Sequence, residues 1–500
     1  MNGSLRKPCL PGTRTRLLTE IISWATQSNV ENEEKNVLWL HGMAGSGKST
    51  VATTVAHHFD SLKRQGAYLF FERATSTPST VICTLAYELA LFDPAISSAI
   101  SKCLSADPKI AEKSLHTQFE MLLYTPLTEA AHNIAGPVTV VLDALDECGD
   151  QSSREELLDI LGTKLQTLPP AFRFLITSRP EEDIRTAFKK TNLIMSLESM
   201  VEEKEALSDI KAYFVSQTAI IRENKELEND WPSENQIDSL VKSSEGLFIW
   251  ASTMCKLIRQ TPVHELGSLL AGSSNQGIQG LDLLYTTTLE RSYSWSSAGV
   301  DSWNHFRSVM AVVLFSRINL DVAAVDLMLG VSGQASSRFL VSSFSALLEY
   351  STGNTIRPLH ASFRDYLTDK NRSGGKPWSL TSVDPERLLT EACFQIMSKQ
   401  LRFNICGITT SYKEDNDYFT SPNTRDAISK ELKYACQHWA THLKGVHTLD
   451  GTLIKLLEIF SYDMFLFWDE VIEISKLWDE SRKICEEISD FIKVSCIITT

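Results

Sequence analysis

Val37-Leu38-Trp39-Leu40-His41-Gly42-Met43-Ala44-Gly45-Ser46-Gly47-Lys48-Ser49-Thr50 is the stretch on which the fold of this chain turns. Val37 to Leu40 read as a short buried strand. From Ser49 to Phe59, Val51, Val55 and Phe59 recur on one face of a helix. Between strand and helix, Gly42, Gly47, Lys48 and Ser49 satisfy the pattern G-x-x-x-x-G-K-[ST]. The spacing has a physical reason. Glycines let the chain curl until backbone N–H groups point inward, so Gly42, Met43, Ala44, Gly45, Ser46 and Gly47 form a cradle for a β-phosphate. The helix that follows, opening at Ser49 and Thr50, adds its positive end. Lys48 reaches β- and γ-phosphate oxygens, and the Ser49 hydroxyl ligates Mg²⁺. A chance glycine-rich loop produces the same letters in roughly one or two of every hundred chains this long, but without the flanking strand and helix.

Further strands follow at Ala67 to Phe71, Val138 to Leu142, Phe172 to Ile176 and Leu193 to Leu197, with a helix from Thr80 to Phe92. Apolar strands alternating with helices indicate an α/β domain, a parallel sheet with helices on both faces. The third strand runs into Asp143-Ala144-Leu145-Asp146-Glu147. An acid at the carboxyl end of a buried parallel strand sits where such sheets bind ligands. Asp143 is expected to hold Mg²⁺ through water. Asp146 or Glu147 orients or deprotonates the water that attacks a γ-phosphate, and the pattern leaves open which of the two it is. A solvated acidic turn is the plain alternative. Arg179 ends the next strand, where it touches a γ-phosphate or else pairs with Glu181 or Glu182. Arg73 reads as structural, and His57-His58 as surface residues on a helix.

Beyond Glu198 helical periodicity takes over. Glu223 to Ser233 reads as a loop, and Gly267 to Gly280 and Asn371 to Pro377 as linkers. Leu347 to Tyr350 and Thr355 to Leu359 read as a β-hairpin, and Ser362 to Leu367 as a short helix after it. Helices followed by a hairpin fit a winged helix. Asp384-Pro385 opens a helix, and Ile428, Leu432, Cys436, Trp439 and Leu443, then Ile484, Ile488 and Ile492, mark later ones. The expected division is a lead-in at 1–36, a nucleotide domain at 37–198, a first helical domain at 199–266, a winged helix at 281–370 and a second helical domain at 384–500. No repeat with a period of ~20–50 residues is visible.

Over 500 residues, 48 Lys and Arg against 62 Asp and Glu give a net charge of −14, which argues against binding to nucleic acid or anionic membranes. No apolar run approaches the ~20 residues that span a bilayer, and no secretory signal opens the chain. The ten Cys occur singly, some within apolar stretches such as Val81-Ile82-Cys83. They read as buried free thiols of a reducing, cytoplasmic compartment.

Taken together, Leu38 to Thr50, Leu142 to Cys148 and Ile176-Thr177-Ser178-Arg179-Pro180-Glu181 resemble the NACHT branch of the signal-transduction NTPases with numerous domains (STAND), in the fungal NOD-like receptor group. Asp143-Ala144-Leu145-Asp146-Glu147 matches the NACHT acidic motif. Cys9-Leu10-Pro11-Gly12-Thr13-Arg14 is similar to the segment that leads into the nucleotide domain. Glu245 to Ala251 is similar to the first helical domain, Leu359 to Leu367 to the winged helix, and Asn404 to Cys406 with Tyr434 to Leu443 to the second helical domain. The resemblance implies a switch. ADP or GDP is held at rest with a winged-helix histidine, here His360, on its phosphates. Exchange for ATP or GTP with Mg²⁺ opens the module and lets protomers assemble, and slow hydrolysis resets it. Members usually carry an effector domain before this core and WD40, ankyrin or TPR repeats after it. Neither is visible here, so the expectation is either a truncated or partial gene product or a stand-alone switch core, with effector and sensor partners unnamed.

Other functions weigh less. A P-loop kinase needs a lid with phosphate-clamping arginines, and the Asp146-Glu147 pair and long helical tail argue against it. A DNA-binding winged helix would use Ser336 to Leu348, which holds only Arg338 as a basic residue. A scaffold that binds nucleotide without turning it over has the same sequence signature as a slow enzyme.

Overall fold

A computed structural model describes residues 7–26, 35–72, 76–134, 136–189, 194–198, 203–260, 262, 266, 278–291, 300–331, 337–344, 346–350, 355–407, 428–446 and 448–475. The chain divides into two compact units, Met1–Leu284 and Tyr285–Thr500.

The first unit is built on five parallel strands: β1 (Val37–His41), β2 (Gln65–Phe70), β3 (Val138–Asp143), β4 (Phe172–Ser178) and β5 (Ile194–Glu198). Their order is β2-β3-β4-β1-β5. All five strands read from the sequence form, within two residues of the expected bounds. The sheet is covered on both faces because the pleat sends alternate side chains opposite ways. Val37, Trp39, Val138, Val140, Leu142, Phe172, Phe174 and Ile176 face one core, with Leu85, Leu89, Phe119 and Leu161 from helices. Leu38, Leu40, Val141 and Leu175 face a second core, with Leu17 and Ile21 of helix Thr15–Thr26 and Val51, Val55 and Phe59 of helix Lys48–Ser61. Gly66 in β2 has a packing reason: a Cβ there would lie 2.6 Å from Val138 and 2.9 Å from Leu89. Helices Glu203–Asn224, Glu234–Ser244 and Phe248–Gln260 follow the sheet in this unit. It is an α/β P-loop NTPase fold: the strand–loop–helix runs from β1 into Lys48–Ser61 at the carboxyl edge of a covered parallel sheet.

Among its described residues the second unit is helical apart from one hairpin, β6 (Leu348–Tyr350) against β7 (Ile356–Pro358), antiparallel as expected. Helices Val300–Phe315, Val322–Leu329 and Ser337–Ser343 precede the hairpin, and Ala361–Thr368 follows it. Ser337–Ser343 is shorter than the Ser336 to Leu348 helix that a DNA reader would use. Asn371 to Pro377 is not a linker. Lys370–Ser373 is a short helix capped by Asp369, and the buried Ser373 hydroxyl bonds Leu367 O and Ser379 Oγ. Trp378 then donates to Tyr366 Oη at 2.9 Å and packs against Trp303. A polar, Gly-containing sequence was thus folded in by side-chain hydrogen bonds that composition does not show. Asp384 caps helix Pro385–Gln400, which packs on Lys430–Gly445.

Cys148, Cys255, Cys393 and Cys436 are free and buried. Cys9, Cys83, Cys103 and Cys406 are also free but only half-buried, which corrects the reading of Cys83. Among the described residues no helix is long and apolar enough to cross a membrane. Arg73, Gly267 to Gly277, Ile484, Ile488 and Ile492 lie outside the described residues.

Candidate functional site

The loop Gly42–Gly47 leaves the carboxyl end of β1 and turns into helix Lys48–Ser61. Gly45 and Gly47 have φ of 80° and 90°, a region that a Cβ disfavours. Lys48 is buried, and its Nζ donates to Gly42 O and Met43 O, both at 2.8 Å. Burial lowers its pKa to about 8, opposed by the nearby Asp146, Asp143 and Glu147 carboxylates and aided by Arg179. Those four charges are therefore close enough to Lys48 to act on it, although Asp143 and Arg179 are far away in sequence.

The sheet order brings them there. β4 lies between β1 and β3, so three strand ends meet: the loop after β1, Asp143 at the end of β3, and Thr177-Ser178-Arg179 at the end of β4. Asp143 is fully buried. Thr177 Oγ1 donates to Asp143 Oδ1 at 2.5 Å and accepts the Ala144 N–H at 3.0 Å. Ala144 sits in the left-handed region at φ 63°, which turns the chain so that Asp146 comes back toward β4. Asp146 is buried, and its Oδ1 accepts the Arg179 N–H at 2.9 Å while Oδ2 lies 3.3 Å from Arg179 Nε. Arg179 therefore pairs with Asp146. Glu181, which the sequence offered as a partner, meets Arg154. Glu147 is half-buried at the same turn.

These residues fit a magnesium nucleotide. The positive-φ glycines shape an anion cradle, Lys48 supplies a point charge, Ser49 at the helix start remains half-exposed, and Asp143 brings a carboxylate to the same edge. His360 belongs to the second unit. Its Nδ1 accepts the Ser362 N–H at 3.0 Å and lies 2.7 Å from Ser362 Oγ, so it caps helix Ala361–Thr368. A ring nitrogen that accepts from a backbone amide is unprotonated, which leaves the proton on Nε2.

Other residues of the site were not singled out by sequence. Thr177 is one, and its only signal is a hydroxyl at a strand end. Arg154 is another. Arg14, in the lead-in, is buried and donates from Nη2 to Ser46 O at 2.8 Å. Its own N–H bonds Asp209 Oδ2 at 2.9 Å, and its guanidinium lies 5.0 Å from the Phe248 ring centroid. Ile249 N donates to Gly45 O at 3.3 Å. The back of the loop is thus held by the lead-in and by the start of helix Phe248–Gln260.

Comparison with known proteins gives a model match and distant structural likenesses. The family model described as "Nephrocystin 3, N-terminal" matches residues 12–179. No curated protein matches. Among solved structures, the Walker-type ATPase of Pyrococcus abyssi is 14% identical at a TM-score of 0.37, covering 72% of this chain and 97% of that one. A signal-transduction ATPase with numerous domains and a tetratricopeptide-repeat sensor, from Pyrococcus horikoshii, is 14% identical at a TM-score of 0.42, with 98% and 65% covered. Cdc6p from Pyrobaculum aerophilum is 10% identical at 0.32, with 78% and 98% covered.

Proposed function

We propose that this chain is a nucleotide-dependent signalling switch of the STAND class, NACHT type, which binds ATP or GTP with Mg²⁺ and hydrolyses it slowly. One observation carries the reading: Lys48, Asp143, Asp146 and Arg179, drawn from three strand ends, come together where the glycine loop meets its helix. In this reading Gly42 to Gly47 wrap the β-phosphate with their N–H groups, and Lys48 releases Gly42 O and Met43 O to reach phosphate oxygens. Ser49 and Asp143 hold the Mg²⁺, whose chemistry is to neutralise charge on the β- and γ-phosphates. Arg179 exchanges part of its contact with Asp146 for the γ-phosphate. Of the two acids, Asp146 is buried and Glu147 only half-buried, so Glu147, the one that solvent reaches, is assigned the water.

The finer parts rest on the resemblance: a diphosphate resting state contacted by His360, a winged helix at 281–370 between helical domains at 199–266 and 384–500, opening on exchange, and self-assembly in fungal immunity or incompatibility signalling in the cytoplasm. The test is the nucleotide that copurifies with the protein, together with binding and phosphate release by the parent and Lys48→Ala. Tight binding that Lys48→Ala abolishes is expected. Binding within about threefold of the parent would remove the phosphate-loop assignment. Tight binding with no phosphate release would leave a scaffold without turnover.

A further inference from the structure

Arg154 lies between β3 and helix Glu155–Asp159, outside every motif that identifies the site, yet only 2% of it is exposed. Burying a guanidinium is costly unless its N–H groups find acceptors. Here they do. Nη1 donates to the backbone oxygen of Asp146 at 2.9 Å. Nε and Nη2 grip the Asp183 carboxylate at 2.6 and 3.1 Å, and Nη2 also meets Glu181 Oε2. Two-pronged contact of this kind fixes direction as well as distance. Burial pulls the Arg154 pKa down, but the bonds to Asp183 and Glu181 outweigh it and hold the pKa above the ordinary arginine value.

The acceptors come from two segments. Asp146 belongs to the turn after β3; Glu181 and Asp183 belong to the segment that leaves β4 and opens helix Glu182–Lys189. Arg179 lies on the second segment and binds the Asp146 carboxylate on the first. A ring therefore closes: Arg154 to Asp146 O, Asp146 carboxylate to Arg179, and the chain from Arg179 through Glu181 and Asp183 back to Arg154. Asp146 is gripped at its carbonyl by one arginine and at its carboxylate by the other, and Glu147 is the next residue along. A turn of a few residues has little stiffness of its own. These two grips add to the turn's own Glu147 N–H bond to Ala144 O and to the bond from Ala144 N–H to Thr177.

We propose that Arg154 is a positioning residue for hydrolysis: it holds the Asp146-Glu147 turn and the Arg179 segment in one register without touching nucleotide. This rests on the nucleotide-switch reading above. Tight binding is assigned to the glycine loop and Lys48, which Arg154 does not contact, whereas turnover depends on the Glu147 and Arg179 positions. Removal of Arg154 should therefore separate the two. A purely structural role would lower the melting temperature and weaken affinity and rate together.

The experiment measures fluorescent triphosphate affinity and single-turnover hydrolysis for the parent, Arg154→Gln, Arg154→Lys and Asp183→Asn. Arg154→Gln is expected to slow turnover about tenfold or more, because sub-ångström placement controls rate. Its affinity should stay within about threefold of the parent. Arg154→Lys should recover only part of the rate, since an ammonium cannot serve Asp183 with two prongs. Asp183→Asn should slow turnover with affinity retained, and it carries the test if Arg154→Gln does not fold. Unchanged turnover in Asp183→Asn and Arg154→Lys, or proportional loss of affinity and rate, would overturn the role of Arg154 alone. A parent that neither binds nor hydrolyses nucleotide would overturn the switch reading, and this inference with it.

Discussion

Thr177 Oγ1 donates to Asp143 Oδ1 at 2.5 Å, joining the ends of two neighbouring parallel strands just beyond their shared ladder. The same hydroxyl accepts the N–H of Ala144, whose left-handed backbone turns the chain toward Asp146. Thr177→Val keeps the shape and removes the hydroxyl. Two buried groups each lose a hydrogen bond, so a loss of about 1–3 kcal/mol in unfolding free energy is expected. Urea denaturation measures it. The Mg²⁺ dependence of nucleotide binding should weaken in the same variant, and an unaltered dependence would show that Thr177 steadies the fold but not the carboxylate proposed to hold Mg²⁺.

Lys48 makes a pH prediction with a definite sign. Its folded pKa, about 8, lies below the ordinary lysine value of 10.5, chiefly through burial. Between these values the unfolded chain binds more protons, so the lysine's contribution to stability rises with pH across that window. Without nucleotide, the stability of the parent relative to Lys48→Met should therefore climb from about pH 8 toward about 10.5. Nucleotide affinity should move the opposite way, because the phosphates need the charged ammonium. Parallel trends in the two measurements would contradict the assignment.

Glu147→Gln should slow single-turnover hydrolysis by about 100-fold or more and spare binding, as expected of a residue that handles the attacking water. Asp146→Asn should behave differently. It unpairs Arg179 from a buried carboxylate, so the melting temperature should fall as well as the rate. If Asp146→Asn slows turnover with stability intact while Glu147→Gln is silent, the roles are reversed.

Arg14→Gln removes the donor on Ser46 O and leaves Asp209 without its charge partner. A charge-assisted bond of this kind contributes roughly 1.5–3 kcal/mol, so triphosphate should bind at least about tenfold more weakly. The variant to compare is Asp209→Asn, which loosens Arg14 without removing it and should fall between Arg14→Gln and the parent in a titration with labelled nucleotide.

His360→Ala tests the part of the reading that rests on resemblance. The cap on Ser362 makes a general drop in melting temperature certain to accompany it. The informative quantity is the diphosphate-dependent share of thermal stabilisation, with the off-rate of a fluorescent diphosphate. Faster release and a smaller diphosphate shift are expected. An unchanged off-rate with full stabilisation would restrict His360 to capping its helix.

The strand–loop–helix from Val37 to Phe59 was legible in sequence because each part is local: an apolar run, glycines at fixed spacing and a helical stripe depend only on near neighbours. Asp143 and Arg179 were legible as strand ends, and Asp146 in the acidic run after one, for the same reason. Sequence alone could not show that Arg179 pairs with Asp146 and Glu181 with Arg154. That follows from β4 lying between β1 and β3, a choice made by packing across the whole sheet. Nor could it show Arg14 against Ser46, because 32 residues separate a lead-in arginine from the carbonyl it holds. The segment after Asn371 failed in the other direction. Its glycines and polar residues read as a linker, and the buried hydroxyl of Ser373 and the ring of Trp378 drew it into the second unit. Local chemistry determined which elements form and where the glycine loop lies; tertiary structure decided which charges face one another, because pairing energy depends on distances that only the folded chain sets.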